Sequence, residues 1–270
     1  MYMPEFSVLM SVYKKDNPIW LKEAIESILA QTVKPSEIIV VCDGPLTKEL
    51  ENVLTQYSDK IILHRLAKNS GLGEALKQGV EKCSCPLIAR MDSDDISLPD
   101  RFEKQLTYFQ EHSDTAVLGG WIQEIDGKDL TPVAIRQVPL TDKEIKKFIK
   151  TRSPFNHVTV MFIKNVVMEA GNYQSFHFIE DYYLWARLAA KGYKMANLPE
   201  ILLNVRVDKA MYGRRGGLKY FKSNYAMSKK LYELGLISLP THLFNMVVRF
   251  CVQVLMPNSV RSYFYRKFLR

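Results

Sequence analysis

Residues 86–99 read PLIARMDSDDISLP, an apolar run followed by three closely spaced carboxylates and a proline. The run predicts a buried strand, because its apolar residues are nearly continuous instead of alternating with polar ones. Asp92, Asp94 and Asp95 follow directly where that strand ends. Carboxylates at this spacing can converge on a hard divalent cation such as Mg²⁺ or Mn²⁺. The alternative is a solvated turn that caps a helix starting near the proline.

Three more apolar runs precede this stretch and alternate with helical patterns. Strands are predicted at FSVLMSVY (6–13), EIIVVCD (37–43) and KIILHRL (60–66), and helices at 20–31, 46–57 and 73–83. The βαβαβαβ order predicts an α/β fold with a doubly wound, mostly parallel sheet flanked by helices. Ligands bind such sheets beyond the carboxyl ends of the strands, which is where Asp43 and the three clustered acids are expected.

The composition is that of a globular chain of one large domain or two small ones, with 270 residues, 47% hydrophobic and 24% charged. The four cysteines have neither a CxxC spacing nor histidine partners nearby. This pattern argues against a zinc site or a disulfide framework and fits a cytoplasmic location. The amino-terminal apolar stretch is typical of a buried strand and not of a signal peptide.

The net charge of +8 is concentrated towards the carboxyl terminus. Residues 209–270 contain 12 Lys and Arg and one acidic residue, Glu233, whereas residues 1–208 contain 25 Lys and Arg against 28 Asp and Glu. This asymmetry predicts that the carboxy-terminal segment meets an anionic surface, either phospholipid or nucleic acid.

A helix predicted over 241–256 has one polar stripe on an otherwise apolar surface. The stripe consists of Thr241, Asn245, Arg249 and Gln253, which recur every fourth residue. Because the segment is shorter than the roughly 20 residues that span a bilayer, we expect it to lie in the interface of an anionic membrane surface. The alternative is an ordinary core helix. No stacking platform accompanies the basic residues, so a nucleic-acid partner is not expected.

Seven motifs follow one another along the chain. They are SVLMSVY, ESILAQT, IIVVCDG, KNSGLGEALKQGV, IARMDSDDISLPDRFEKQ, SPFNHVTVMF and IEDYYLWARLAAKGY. In this order they resemble the inverting family 2 glycosyltransferases of GT-A fold. The resemblance covers roughly residues 5–208 and implies a catalytic domain over 1–208, with a nucleotide-binding half (1–100) and an acceptor half (101–208). The charge asymmetry and the polar stripe predict a basic, helical, membrane-associating tail over 209–270. The DxDD signature resembles bacterial enzymes that add a hexose to a polyprenyl-diphosphate-linked sugar during surface polysaccharide assembly.

The resemblance assigns the nucleotide-sugar donor, with UDP as the expected nucleotide, mainly to the first half of the chain. Asp43 matches the carboxylate that accepts a hydrogen bond from uracil. Asp94, together with Asp92, matches the ligands of the divalent cation, and Asp95 is expected to orient the turn or the donor sugar. The residues expected in the nucleotide site are Ser11, Val12, Tyr13, Asp43, Asn69, Gly71, Arg90, Asp92, Ser93 and Arg206.

Two of these arginines have particular expected partners. Arg90 precedes the acids, so it is expected either to pair with them or to reach the nucleotide. Arg206 is expected to begin a loop that reaches the diphosphate. The usual arginine-then-histidine pattern is missing there, which leaves Arg214 and Arg215 as substitutes.

By the same resemblance, the acidic pair in FIEDYYLWARL supplies the catalytic base. Asp181 is expected to take the proton of the acceptor hydroxyl, with Glu180 beside it. The alternative role for these acids is to stabilise the start of a helix. His157 and Trp185 are candidates for acceptor contact, with hydrogen-bonded structure and core packing as their respective alternatives.

These features predict a metal-dependent inverting transferase that moves a hexose from a UDP-sugar to a lipid-linked saccharide, peripheral on the inner face of the cell membrane. A polyprenyl-phosphate glycosyl synthase would use the same donor site. A non-catalytic nucleotide-sugar or nucleic-acid binding protein is the alternative of another class. The GLG at 71–73 is not a GxGxxG and does not open the first βα unit, which argues against an NAD enzyme.

Overall fold

The structure is a computed structural model that describes residues 4–176, 178–207 and 217–256. Its first half contains the predicted βα units, with small shifts at their ends. The elements are β1 (Phe6–Val12), α1 (Pro18–Leu29), β2 (Glu37–Cys42), α2 (Lys48–Gln56), β3 (Ile62–Arg65), α3 (Leu72–Lys82) and β4 (Leu87–Asp92).

The second half adds shorter strands and the remaining helices. They are β5 (Ile96–Ser97), α4 (Arg101–Glu111), β6 (Thr115–Asp126), β7 (Pro132–Arg136), α5 (Asp142–Phe148), a 3₁₀ turn (His157–Thr159), β8 (Met161–Ile163), α6 (Lys164–Glu169), α7 (Glu180–Ala190) and β9 (Lys194–Val207). Helices α8 (Gly217–Glu233) and α9 (Leu239–Phe250) follow, and a π-helical turn (Cys251–Leu255) continues α9.

Nine strands of the described residues form one sheet in the order β3-β2-β1-β4-β8-β6-β9-β5, with β7 paired to β6. The first four strands in this order are parallel, and Ser11 on β1 lies between Val41 on β2 and Asp92 on β4. Strand β8 is antiparallel to both β4 and β6, whereas β6 and β9 are parallel. The parallel pairing brings the carboxyl ends of β1, β2 and β4 to one edge, which positions the site.

Two hydrophobic cores cover the opposite faces of the sheet. Leu9 of β1 packs in a core with α3 and α7, while its neighbours Val8 and Met10 pack in the other core with α1, α2 and α4. Successive side chains of a strand point to opposite faces, so both faces of β1 must be apolar. This explains the continuous apolar runs of the sequence.

The described part of the carboxy-terminal region shares the first of these cores. Met227 and Leu231 of α8, and Ile237 just beyond that helix, are buried in the same cluster as Trp185 of α7. The described part of the predicted tail, residues 217–256, therefore shares a core with the predicted catalytic domain, because buried apolar side chains and not the net charge decide the packing. Residues 209–216 and 257–270 lie outside the described residues.

Helix α9 turns its polar stripe towards the rest of the protein. Asn245 Nδ2 donates to the Lys150 carbonyl at 3.3 Å. The Arg249 guanidinium donates to the Thr151 carbonyl and to the Asn224 side chain. The stripe predicted from the sequence is thus an inward-facing one that anchors α9 on the segment after α5.

The apolar side of α9 faces outward. Its exposed residues are Leu243, Phe244, Val247, Val248 and Phe250. The helix begins at Leu239 with Ser238 as its N-cap, two residues before the predicted start at Thr241, because the Ser238 hydroxyl accepts a hydrogen bond from the Thr241 amide. Among the described helices, none has the length and apolar character needed to cross a bilayer.

Candidate active site

A cavity of about 1020 Å³ opens at the edge of the sheet where β1, β2 and β4 end. The start of α7 and parts of α8 and α9 complete its wall. The predicted site residues that line it are Ser11, Val12, Tyr13, Asp43, Asn69, Gly71, Asp92, Ser93, Asp94, His157, Glu180 and Asp181. Its volume is ample for a ligand the size of a sugar nucleotide.

Arg90 lies at the centre of the charges around this cavity, although its side chain is only 1% exposed. Its Nη1 lies 2.8 Å from Asp181 Oδ1, and its Nη2 lies 3.0 Å from Asp92 Oδ1. One buried cation therefore joins the first acid of the DSDD turn to the predicted base. The sequence left open whether Arg90 pairs with the acids or reaches the nucleotide, and the structure shows the pairing.

The pKa values of this group follow from burial and from the opposite charges. Burial lowers the pKa of Arg90, but the charges of Asp181 and Asp92 outweigh it and hold that pKa above its ordinary value. Burial raises the pKa of Asp92, but Arg90 and His157 outweigh it in turn and hold that pKa below its ordinary value. Arg90 and Asp92 are therefore both charged at neutral pH.

His157 lies between the same two carboxylates. Its Nε2 is 3.4 Å from Asp92 Oδ2, and its Nδ1 is 4.0 Å from Asp181 Oδ2. The preceding residue, Asn156, fixes the 3₁₀ turn because its buried side chain donates to the Gly120 carbonyl at 2.9 Å. The structure therefore places His157 at the cavity, although the sequence favoured a purely structural role, and its contact with the acceptor stays a prediction.

The DSDD turn brings three carboxylates together. Ligand oxygens of Asp92, Asp94 and Asp95 all lie within 4.8 Å of one another. Burial and the charges of Asp92 and Asp16 raise the pKa of Asp94 to about 6. Burial and the two neighbouring acids raise the pKa of Asp95 well above its ordinary value. A hard divalent cation fits this donor set, because its charge would compensate both the burial and the mutual repulsion of the three carboxylates.

Asp16 is a member of the site that the sequence did not reveal. Its Oδ2 accepts hydrogen bonds from Ser93 Oγ at 2.8 Å and from the Tyr13 amide at 3.0 Å. Burial raises the pKa of Asp16 to about 6. The available signal was its position in the loop after β1, since that loop leaves the sheet at the ligand-binding edge.

Asp43 organises the loop that precedes α3. Its Oδ1 accepts from the Ser70 amide at 2.6 Å, and its Oδ2 accepts from Asn69 Nδ2 at 2.9 Å and from the Gly71 amide at 3.0 Å. Gly44 permits this close approach, since it has φ +84° and a Cβ there would lie 2.5 Å from the Asn69 nitrogen. Asp43 lines the cavity. Its hydrogen bond with the uracil ring of the nucleotide stays a prediction.

Arg206 lies behind the acidic turn and does not line the cavity. It belongs to β9 and not to a loop. Its Nη1 donates to the Asp94 carbonyl at 2.5 Å, its Nη2 pairs with Glu23, and its amide donates to Asp95 Oδ1 at 3.1 Å. The structure thus gives Arg206 a role in bracing the turn, in place of the expected contact with the diphosphate. Arg214 and Arg215 lie outside the described residues.

Trp185 is fully buried and cannot contact an acceptor. Its ring packs edge-on against Phe155, with 5.3 Å between the ring centroids. It follows Asp181 by one helical turn, so α7 carries it from the cavity wall into the core beneath. The core alternative is therefore correct for Trp185, and the expected acceptor contact is wrong.

A second buried arginine supports the site from below. Arg101 at the start of α4 donates from Nη2 to the Arg90 carbonyl at 2.8 Å and from Nε to the Gln105 side chain at 3.0 Å. Burial lowers the pKa of Arg101 to about 9. Its position in an ordinary helix start gave no signal in the sequence.

The family model named Glycosyl transferase family 2 matches residues 7–171, which is more than half of the chain. The chain belongs to this family, and it is a glycosyltransferase with the GT-A fold.

Two relatives are similar over almost their full lengths. The amylovoran biosynthesis glycosyltransferase AmsE of Erwinia amylovora is 38% identical over 97% of this chain and 98% of its own. The Escherichia coli UDP-Gal:alpha-D-GlcNAc-diphosphoundecaprenol beta-1,3-galactosyltransferase is also 38% identical, over 99% of this chain and 97% of its own. A crystal structure of S. aureus TarS in complex with UDP-GlcNAc aligns with a TM-score of 0.71 at 14% identity, over 96% of this chain and 78% of that one. The last similarity concerns the fold alone.

Proposed function

We propose that this enzyme transfers a hexose from a UDP-sugar to a lipid-linked saccharide in surface polysaccharide synthesis, with inversion at the anomeric carbon. The observation that carries the proposal is the bridge from Asp92 through Arg90 to Asp181, which brings a metal-side acid and a base to one cavity. One relative supports the acceptor class, since it is named for a diphosphoundecaprenol-linked acceptor, and the other is named for amylovoran biosynthesis.

The proposed reaction is a single displacement. The acceptor hydroxyl oxygen forms a bond to the anomeric carbon while the bond from that carbon to the UDP oxygen breaks, and the electron pair leaves with UDP. The hydroxyl proton passes to the Asp181 carboxylate. Arg90 positions this carboxylate through the 2.8 Å pair, and His157 Nδ1 lies 4.0 Å from the other carboxylate oxygen.

Asp92, Asp94 and Asp95 would hold a divalent cation, Mn²⁺ or Mg²⁺. When bound, the cation neutralises charge that develops on the leaving diphosphate. The strand end formed by Ser11, Val12 and Tyr13, together with the Asp43 loop, binds the nucleoside at the same edge.

Glu180 is the second candidate for the base. It lines the cavity beside Asp181, and burial, with the neighbouring Asp181 charge, raises its pKa. Asp181 is preferred because Arg90 holds its Oδ1 at 2.8 Å, and catalysis by a general base depends first on geometry.

The enzyme acts at a membrane surface in this proposal, as a peripheral protein on the inner face. The outward apolar side of α9 supports this location, since Leu243 and Val247 are exposed on a helix whose polar stripe is anchored inward. An interfacial helix buries such a side in the headgroup region.

The test is an assay of purified protein with a panel of UDP-sugars, with Mn²⁺ or with EDTA. Acceptors are a diphosphate-lipid-linked N-acetylglucosamine and a polyprenyl monophosphate. We expect metal-dependent transfer to the saccharide from one UDP-sugar, with the inverted anomeric configuration by NMR. Transfer to the monophosphate alone would indicate a polyprenyl-phosphate glycosyl synthase. Activity unchanged by EDTA would contradict the proposed dependence on a divalent cation.

A further inference from the structure

Charges of opposite sign line the cavity from different elements. The acids come from strand ends, the loop after β1 and the start of α7: Asp16, Asp43, Asp92, Asp94, Glu180 and Asp181. Arginines come from the end of β7, the segment after α5 and α9: Arg136, Arg152 and Arg249. A UDP-sugar carries one diphosphate, and the cation at the DSDD turn would take it. The arginine side of the cavity therefore suits a second anion.

Two of these arginines lie on adjacent parts of the cavity wall. Arg249 of α9 donates hydrogen bonds to the Thr151 carbonyl and to the Asn224 side chain. Thr151 directly precedes Arg152 in the chain, and both arginines line the cavity. The contact with Thr151 therefore brings α9 and Arg249 next to the segment that carries Arg152.

An apolar surface begins beside these arginines. Phe244 and Val248 of α9 line the cavity and are nevertheless 68% and 43% exposed. Leu243 and Val247, exposed on the same side of the helix, continue the surface away from the cavity. An apolar path thus runs along α9 from the cavity mouth to the outside of the protein.

We propose that this α8–α9 side of the cavity binds the diphosphate and the first isoprenoid units of the lipid-linked acceptor, an inference that rests on the proposed function. Arg152, Arg249 and Arg136 bind the diphosphate, and Phe244 and Val248 contact the isoprenoid. A soluble sugar acceptor makes no use of the apolar path. A bare lipid headgroup makes no use of arginines inside the cavity. An anionic group on an apolar chain uses both.

Farnesyl diphosphate is a suitable probe because it has the diphosphate and isoprenoid without the sugar. Binding is measured by titration calorimetry on the full chain saturated with UDP and Mn²⁺, so that the donor site does not take the probe. We expect Arg152→Gln to weaken binding by about tenfold or more, as for the loss of a charged hydrogen-bond partner. Lys150→Gln is the matched control, since it removes a nearby charge that does not line the cavity.

The apolar half of the proposal has its own pair of variants. Phe244→Ser should weaken the binding of farnesyl diphosphate about tenfold and leave the binding of inorganic diphosphate unchanged, because only the contact with the isoprenoid is lost. Val247→Ser, equally exposed but outside the cavity lining, should bind the probe like the wild type. Urea unfolding checks each variant, and Arg136→Gln replaces Arg152→Gln if the latter does not fold.

Normal binding by the arginine variants would overturn the proposal, as would farnesyl monophosphate binding as tightly as the diphosphate. These results are separate from a failure of the proposed function. If the wild-type protein transfers sugar but Arg152→Gln binds the probe as tightly as the wild type, only the proposed diphosphate subsite is contradicted. If the probe binds as expected but no UDP-sugar is turned over, only the proposed reaction is contradicted.

Discussion

Arg90 and Asp181 form a buried ion pair between the end of β4 and the start of α7, with 2.8 Å between Nη1 and Oδ1. The same guanidinium lies 3.0 Å from Asp92. Removing either carboxylate would leave the arginine charge only partly compensated in a nearly dry position. The position of the proposed base is therefore coupled to that of the acidic turn.

Replacing Arg90 should destabilise the fold severely. We expect Arg90→Met to lower the free energy of unfolding by about 3–5 kcal/mol, because it leaves two carboxylates without their buried partner. Arg65→Met is the control, since Arg65 also contacts a carboxylate, that of Glu51 at 2.7 Å, but on the half-exposed surface. Its cost should stay within about 1 kcal/mol. Equal losses in urea denaturation would show that the Arg90 network does not hold the site together.

Binding of Mn²⁺ should depend on pH through Asp94 and Asp16, whose pKa values are raised from 3.8 to about 6. A raised carboxyl pKa means that the metal-free fold loses stability as pH rises from about 4 to 6, while these groups ionise. Bound Mn²⁺ offsets this loss. The rise in Tm on adding Mn²⁺ should therefore be larger at pH 7 than at pH 5. Asp94→Asn should abolish that rise at both pH values, and the exposed Asp59→Asn should not. An equal rise in Tm at the two pH values would contradict the expected competition between protons and Mn²⁺ for these carboxylates.

Gly44 should tolerate a side chain less well than Gly192, although both have φ +84°. Gly192 has open space around it, so Gly192→Ala should cost about 1–2 kcal/mol from backbone strain alone. Gly44→Ala should cost more and also weaken UDP binding, because its Cβ would push the Asn69 loop away from Asp43. Urea denaturation and UDP titration measure the two effects. Identical behaviour of the variants would argue that the loop is not needed for the nucleotide.

The first half of the sheet was predictable because continuous apolar runs define its four strands. Asp43, Asp92 and Asp94 were found for the same reason, since each follows an apolar run. Pairing between distant segments was not predictable, as with Leu118 on β6 opposite Met161 on β8. The bracing role of Arg206 depends on such pairing and was therefore missed.

The carboxy-terminal helix shows the same limit. The polar stripe of α9 is visible in the sequence, but its direction is set by the carbonyls of Lys150 and Thr151, far along the chain. A stripe facing water and a stripe facing the protein have the same periodicity. The contacts with those carbonyls decide between them.

Membrane association should depend on the outward side of α9. We expect the double substitution Leu243→Ser and Val247→Ser to release the protein from vesicles containing phosphatidylglycerol, with the free energy of unfolding unchanged because both side chains are exposed. Ile62→Ser on β3, which is also exposed, is the control and should leave vesicle binding intact. Co-sedimentation measures the bound fraction. Retention of the double variant on the vesicles would assign membrane contact to another surface.

The most direct test of the account is turnover and donor binding of Asp181→Asn measured side by side, with Glu180→Gln as the neighbouring control. As the proposed base, Asp181 should be needed for the proton transfer and not for the UDP-sugar. We expect the Kd for the donor to stay near the wild-type value while turnover falls on the order of 10²-fold or more. Glu180→Gln should lose less turnover than Asp181→Asn. Near-normal turnover by Asp181→Asn, or a larger loss in Glu180→Gln, would contradict the assignment of the base.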